Sequence, residues 1–584
     1  MKWLPFFFLT AVVFLHRPAM LGGYFSNAVT IFPRWDLALL AGAFLLLQWE
    51  RLFRVLKSFS RLDQICILIL LGSALGHFFH NGYYSLESLG LNLVFLTVPL
   101  FACLNKTLFL RILPWFMTLL WGLTCLACLT QKLRGIAGVG ITGNWNWNAM
   151  FLLITAPFAV LLIFRSLHRK GTMVPVLCSL PIVGITLFLF YKNGSRAAML
   201  GLVTGLFLFA CLSLKPQKRR VLLLVSGILF AAGITLLTSR YSAKIDSFMA
   251  GEIRPAIWES TLRLIGDHPL GVGAESFEDR YIPYKTADYF LHKFASPRTI
   301  HPHNEFLNIA ALLGIPALLA WCFLTFKGMY RFLRGYRSAS VELKIIFFCL
   351  IAMLVHSMLD LIFFSWPQDM LGFAFAGIFW APRMLVGEPR LKFRCIPRIA
   401  GGIAVAGVLL SGILNFRATW NFEQSLEASR KKDLVSAQNH ALAGADLSRA
   451  FPEYLYRCAE RALLFDQNYP LALKLAEKME QTPYQNFSRI HMVKAMALAF
   501  LGRDEESAAE YEQESRNYPY LILPRIGRIT CYGRLGKTDR IPEIEKELSE
   551  LMKLRGLTPA DVRKIMQHPE CDLNQHKLND FPSR

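Results

Sequence analysis

The sequence predicts an all-α protein: a polytopic bundle of about thirteen membrane helices with a large outer loop, followed by a soluble, tetratricopeptide-like helical domain. Three observations predict it. Of 584 residues, 54% are hydrophobic and the mean hydropathy is +0.38, too apolar for a soluble chain of this length. Apolar stretches approaching the roughly 20 residues that cross a bilayer recur along the first 416 positions. Beyond Phe416 the composition turns charged, with acidic and basic residues nearly balanced.

The apolar stretches lie at 3–16, 36–50, 63–79, 86–104, 112–131, 148–164, 173–191, 196–214, 221–238, 304–326, 343–364, 367–382 and 399–416. The opening "MKWLPFFFLTAVVFL" lacks a clean small-residue cleavage site and is read as the first helix instead of a signal peptide. The net charge of +22 does not mark a nucleic-acid binder, because the basic residues sit in turns between helices. Arg51, Arg54, Lys57 and Arg61 fill one turn; Arg165, Arg169 and Lys170 fill another. "KPQKRR" from Lys215, then Lys327 to Arg337, then Arg390 to Arg398 follow. These turns alternate along the chain, the positive-inside pattern. Thirteen spans then put the N-terminus in the cytoplasm and the C-terminal domain outside. The expected domains are 1–416, with the outer loop at about 239–303, and 417–584.

Twelve cysteines are present. Most fall in apolar runs, Cys125 and Cys128 within the same one, which reads as packing instead of metal or redox chemistry. Cys458, Cys531 and Cys571 are an odd number in the C-terminal domain. There, "AMALAFLGRDEESAAEYEQESRNYP" (Ala495 to Pro519) has the spacing of a helix-turn-helix repeat, with its turn at Leu501-Gly502 and Ala508 and Ala509 packing between helices. "YGRLGKTDRIPEIEKELSEL" from Tyr532 begins another unit. Such units stack to bury their apolar faces, and the stack either positions a partner or is purely structural.

Four outward-facing segments gather polar groups. "GITGNWNWNAM" (Gly140 to Met150) alternates Asn144, Asn146 and Asn148 with Trp145 and Trp147. Amides beside indoles suit sugars, whose ring faces stack while their hydroxyls need donors and acceptors. Interface tryptophans with capping asparagines are the alternative. "YKNGSRAAML" (Tyr191 to Leu200) places Arg196 at the head of an apolar helix, where an arginine needs a partner. "GEIRPAIWESTLRLIGDHPLGVGAESF" (Gly251 to Phe277) carries Arg254, Trp258 and Arg263 ahead of glycines that read as turn residues, since no strand precedes them.

The fourth segment, "TIHPHNEFLNIAALLGIPALLAWCF" (Thr299 to Phe323), sets His301, His303, Asn304 and Glu305 in front of an apolar run. Pro302 suits a first helical turn, so His303 is expected among the unpaired N–H groups of that helix. That setting disfavours imidazolium and leaves the ring able to accept a proton. His301, before the proline, is expected to cap or stack.

In this order and on this face, "GNWNWNA", "NGSRAAMLGL", "RPAIWESTLRLIGDHPLGVGAESF", "HPHNEFLNIAALLGI" and "HSMLDLIFFSWP" (His356 to Pro367) resemble the O-antigen ligase and polymerase family of bacterial envelope glycosyltransferases. The likeness covers roughly residues 30 to 385. It departs from the family pattern at Trp147, a place often held by proline. The resemblance implies a multi-pass inner-membrane enzyme of lipopolysaccharide biosynthesis. Such enzymes move a glycan from undecaprenyl pyrophosphate to a hydroxyl acceptor at the periplasmic face, without nucleotide sugar and with no metal or other cofactor expected; inversion at the anomeric carbon would follow from a single displacement.

The residues fit that chemistry. Departure of a pyrophosphate requires cations, for which the guanidinium forks of Arg196 and Arg254 are the candidates. The attacking hydroxyl requires a base, for which His303 is the candidate. Asn144, Trp145, Asn146, Asn148, Arg263, His301, Asn304, Glu305 and Asp360 are candidate substrate contacts, Asp360 as a holder of Arg196 or a histidine. Glu278 and Asp279 would be the ligands of a metal-assisted alternative, although adjacent carboxylates diverge on most backbones. The expected partners are the lipid-linked glycan, the bilayer and an acceptor: the lipid A core, a growing polysaccharide, or serine and threonine of a protein. "YPYLILPRI" (Tyr518 to Ile526) and the appended helical domain are similar to the protein O-oligosaccharyltransferase branch. A transporter fits less well, because no repeated halves are evident and the polar residues gather at one face.

Overall fold

A computed structural model describes residues 3–12, 33–80, 86–133, 140–142, 144–167, 173–214, 217, 252–291, 299, 301–360, 368–382, 395–447, 451–482 and 484–567. The expected span 221–238, most of the basic stretch 215–220, the last residues 361–367 of the fifth motif and Cys571 lie outside the described residues. Every regular element among the described residues is helical. The chain forms two compact units, one of residues 1–242 with 303–413 and one of residues 243–302 with 414–584.

The first unit holds α1 (Leu4–Thr10), α2 (Arg34–Leu47), α3 (Trp49–Ser58), α4 (Arg61–His80), α5 (Leu86–Leu104), α6 (Lys106–Leu133), α7 (Trp145–Leu167), α8 (Met173–Asn193) and α9 (Arg196–Ser213). Small residues let these helices approach at backbone distance. A Cβ on Gly377 would fall 2.1 Å from the Pro99 carbonyl oxygen of α5. Seven helices among the described residues are long and apolar enough to cross a membrane: 61–79, 87–104, 106–133, 145–167, 173–193, 196–213 and 395–430.

That is fewer than the thirteen expected, and the residues show why. The stretch 304–326 is broken at Gly314, whose φ of +92° ends one helix and starts another. The 343–364 stretch leaves the helix after His356, and the 36–50 and 367–382 stretches form helices of 14 and 13 residues.

The second unit holds α10 (Arg254–Asp267), α11 (Phe277–Tyr281) and α12 (Ala287–Leu291). The first unit resumes with α13 (Glu305–Leu313), α14 (Ile315–Arg334), α15 (Val341–His356) and α16 (Gln368–Trp380). The division between units falls inside α17 (Cys395–Arg430). Then follow α18 (Leu434–Leu447), α19 (Pro452–Leu464), α20 (Tyr469–Glu480), α21 (Ile490–Phe500), α22 (Asp504–Asn517), α23 (Leu523–Arg534), α24 (Ile541–Arg555) and α25 (Pro559–Gln567).

From α19 to α24 each helix packs on the next. The Leu501-Gly502 turn forms as the sequence expects, with Gly502 at φ +75°. Ser507 and Ala508 are buried there, but Ala509 faces solvent, because α22 presents its 507–508 edge to α21. The segment 277–291 packs on these helices. Asn486 donates to Asp279, and Phe290 meets Tyr518 and Tyr520.

Candidate functional site

The chain before α13 is shaped by a side-chain cap. Asn304, extended at φ −155°, accepts from the amides of Phe306 (3.0 Å) and Leu307 (3.1 Å). Its Nδ2 donates to the Met358 carbonyl (3.0 Å), and the Glu305 amide donates to Ser357 (2.8 Å). The helix therefore starts at Glu305. This corrects two expectations: Pro302 lies outside the helix, and the cap is Asn304 instead of His301, which is buried. His303 is not among the first helical N–H groups either. It stands one residue before the cap at φ +51°, a left-handed conformation that costs a non-glycine residue about 1–3 kcal/mol. The bonds of Asn304 and Glu305 to the turn at Met358 and Ser357 hold it there.

That conformation turns the imidazole toward Asp360. His303 Nδ1 lies 3.2 Å from Asp360 Oδ1, and the other carboxylate oxygen accepts from Asn146 Nδ2 at 3.0 Å. Asp360 is the buried partner, 5% exposed, while the His303 side chain is 35% exposed. Asp360 sits in a turn that continues α15, its amide donating to the His356 carbonyl at 3.0 Å. Three segments distant in sequence thus converge on one carboxylate. Of the two partners the sequence allowed Asp360, the histidine is the one observed.

The other residues of the Asn/Trp motif are used differently. Asn144 caps α7, accepting from the Asn146 amide (2.8 Å). Asn148 is fully buried and donates to Cys128 Sγ (3.4 Å). Trp145 is exposed. Gln131 ties the preceding turn to α6 with paired 3.0 Å bonds to Gly140.

One layer deeper in the same unit lies a charged group the sequence reading missed. Arg34, at the head of α2, is 3.7 Å from Asp369, at the start of α16, and both are buried. Its guanidinium also lies 5.9 Å from the rings of Phe95 and Phe373. Glu305 is 1% exposed, accepts from Asn308 Nδ2 (3.4 Å) and feels the charges of Arg34 and Asp369. The buried Arg34–Asp369 pair ties the head of α2 to the start of α16. "FPRWD" at the head of an apolar run was the available signal.

Arg196 is the exposed first residue of α9, whose cap is Ser195. α9 runs antiparallel to α15. A Cβ on Gly201 would lie 2.7 Å from the Ala352 carbonyl oxygen, and one on Gly205 would lie 3.8 Å from that of Phe348. Continuing this register puts Arg196 level with Ser357, at the same end of the pair as Asp360.

In the second unit, Arg254 opens α10 and pairs with Glu252 at 3.6 Å. Arg263 makes an exposed ion pair with Glu259 one turn away. Trp258 Nε1 donates to the Pro302 carbonyl (2.9 Å). Gly271 and Gly273, at φ +90° and +88°, are turn residues as the sequence expects. Lys285 is buried with its ammonium 5.1 Å from the Tyr289 ring and 5.4 Å from that of Tyr518. Burial pushes its pKa down to about 7, against the pull of Glu278 toward the charged form.

Residues 181–322 match the model of the O-Antigen ligase family. No curated protein matches the chain. The matched segment contains Arg196, Arg254, Arg263, His301, His303, Asn304 and Glu305, whereas Asp360 and Asn146, which meet His303's ring and its carboxylate, come from outside it. The chain thus carries an O-antigen ligase-family domain across residues 181–322, with His303 and its cap inside it.

Proposed function

We propose that the protein is a glycosyltransferase of the inner membrane that moves a glycan from undecaprenyl pyrophosphate to a hydroxyl of the lipid A core at the periplasmic face. The observation that carries this reading is the His303–Asp360 pair, half open to solvent on the imidazole side and closed on the carboxylate side. With Nδ1 held by the carboxylate, the tautomer that exposes Nε2 as the basic nitrogen is favoured. Nε2 takes the proton of the acceptor hydroxyl. The hydroxyl oxygen forms its bond to the anomeric carbon as the bond from that carbon to the pyrophosphate oxygen breaks, which inverts the centre. The leaving pyrophosphate departs with its negative charge, stabilised by Arg196 and Arg254. Asp360 stabilises the imidazolium that forms, and Asn146 holds Asp360.

A protein acceptor is the second reading. It is favoured by the packing of the outer segment 252–291 on a large helical domain, a surface suited to a bulky substrate. The test is to give the purified full chain a labelled undecaprenyl-pyrophosphate glycan with either lipid A core or a serine-rich acceptor protein. Label on the lipid with stoichiometric release of undecaprenyl pyrophosphate supports the first reading, and label on the protein supports the second. Release without label on either points to polymerisation or hydrolysis and removes both.

A further inference from the structure

The end of the first unit farthest from His303 contains a cavity of about 420 Å³ that the transfer chemistry does not use. Its walls are two helix junctions. Gln48, Glu50, Arg51 and Arg54 come from the α2–α3 junction, Asn105, Thr107, Leu108 and Arg111 from the α5–α6 junction, and Arg398 from the start of α17. α2 begins at Arg34 beside Glu305 and ends at Gln48, so its length, about 21 Å, separates the cavity from the His303 layer. By the positive-inside pattern this is the cytoplasmic end.

Four arginines and one glutamate leave the cavity strongly positive. Glu50 is engaged by Arg398 at 3.2 Å, which neutralises one arginine and leaves three. A second feature points the same way. Gln48 is 5% exposed and its Nε2, a buried donor, has no hydrogen-bond acceptor among the described residues. A buried donor without an acceptor is destabilising, and an anionic oxygen in the cavity would satisfy it. The first turn of α6, at Thr107 and Leu108, adds the positive end of a helix.

The surroundings favour a lipid over a soluble anion. On α6, Arg111, Trp115 and Leu119 recur every four residues and share one face, and Trp115 and Leu119 are 67% and 47% exposed. On α17, Ile399 and Ile403 follow Arg398 and are 61% and 68% exposed. Two apolar tracks therefore lead from the arginines along the surface that the bilayer covers, where acyl chains can lie.

We infer that this cavity binds the headgroup of an anionic phospholipid, with charge and room for two phosphates, and that its acyl chains lie along α6 and α17. Basic pockets between membrane helices on the cytoplasmic side have this chemistry. The inference is independent of the transfer reaction and of its acceptor.

Native mass spectrometry of the delipidated full chain in detergent tests it, titrating cardiolipin, phosphatidylethanolamine of matched chains, and soluble pyrophosphate. Cardiolipin is expected to bind at least about 10-fold more tightly than phosphatidylethanolamine. The variant Arg51→Gln/Arg54→Gln/Arg111→Gln is expected to lose about 100-fold in cardiolipin affinity. Lys57→Gln/Arg61→Gln/Arg334→Gln, which removes the same charge from exposed positions outside the cavity, should change it less than about 3-fold. Gln48→Leu, which keeps every charge, should lose about 3- to 10-fold and decides the matter if the triple variant fails to fold. Equal losses in the two triple variants, no loss in Gln48→Leu, or pyrophosphate binding as tightly as cardiolipin would each overturn the assignment.

Discussion

Two histidine–carboxylate pairs among the described residues, one in each unit, differ in what surrounds them. His491 Nδ1 is 2.7 Å from Glu510, and its Nε2 is 2.9 Å from Asn486 Oδ1. Both ring nitrogens are engaged and the side chain is 11% exposed. Glu480 joins them to make the group of three that could hold a metal ion. Lys494 bonds both carboxylates, at 2.8 Å to Glu510, so an ammonium already supplies the positive charge. His303 has a longer bond to its carboxylate and a left-handed backbone, and three times the exposure. The motif alone is therefore not chemistry. Access and strain separate the ring proposed to move a proton from the ring that bonds on both sides.

The largest expected difference lies between the two histidines. General-base assistance is typically worth about 10²–10⁴ in rate. His303→Gln should lose that much turnover per folded molecule with little change in thermal stability. His491→Gln should keep its turnover and lose about 1–3 kcal/mol of stability, as its buried partners are left unpaired. Equal turnover losses, measured with melting curves on the same preparations, would erase the distinction between the pairs.

Next comes Asp360→Asn, which keeps the shape and removes the charge that stabilises imidazolium. A charge-assisted bond is worth about 1.5–3 kcal/mol, so turnover should fall about 10- to 100-fold. Glu510→Gln should not alter it. A null effect of Asp360→Asn in the same transfer assay would reduce Asp360 to a packing residue.

Lys285 gives a smaller effect with a defined sign. Its folded-state pKa of about 7 lies below the ordinary 10.5. Between those values the unfolded chain holds a proton that the folded one has lost, so this site makes stability rise with pH from about 7 to 10.5. Below about 7 both states are protonated and the site contributes no slope. Lys285→Met should flatten that rise and raise the melting temperature most at the acid end. Parallel pH profiles for the two proteins would show that the aromatic ring faces hold the ammonium fully charged.

Smallest of all is Arg263→Gln. Its pair with Glu259 is exposed on both sides, and such i,i+4 pairs contribute about 0.3–0.5 kcal/mol. Neither turnover nor melting should move measurably. A clear loss of transfer in Arg263→Gln would give this arginine a place on the substrate.

What could be read in advance follows from how local each feature is. The glycine turn at Gly271 and Gly273 and the Leu501-Gly502 turn are set by backbone chemistry within a few residues, and the sequence carries them openly. The family segment was legible because several motifs keep their order. His303's left-handed backbone was not, since it is imposed by Asn304 and Glu305 bonding to the turn at Ser357 and Met358. Nor was the Arg34–Asp369 pair, whose members lie near opposite ends of the first unit's sequence and meet only when α2 and α16 both flank α5. Among the described residues seven of the expected thirteen spans are long, unbroken helices, because hydropathy measures apolar length and does not see that a helix stops at Gly314 or His356.

As proposed, His303 performs a proton transfer in the chemical step and does not merely shape the chain before α13. The most direct measurement loads wild type and His303→Gln with the same labelled lipid-linked glycan and compares donor occupancy with carrier release in a single turnover. Matched occupancy with release slowed about 10²–10⁴-fold is the predicted result. Release at the wild-type rate from an equally loaded, equally stable His303→Gln protein would contradict it.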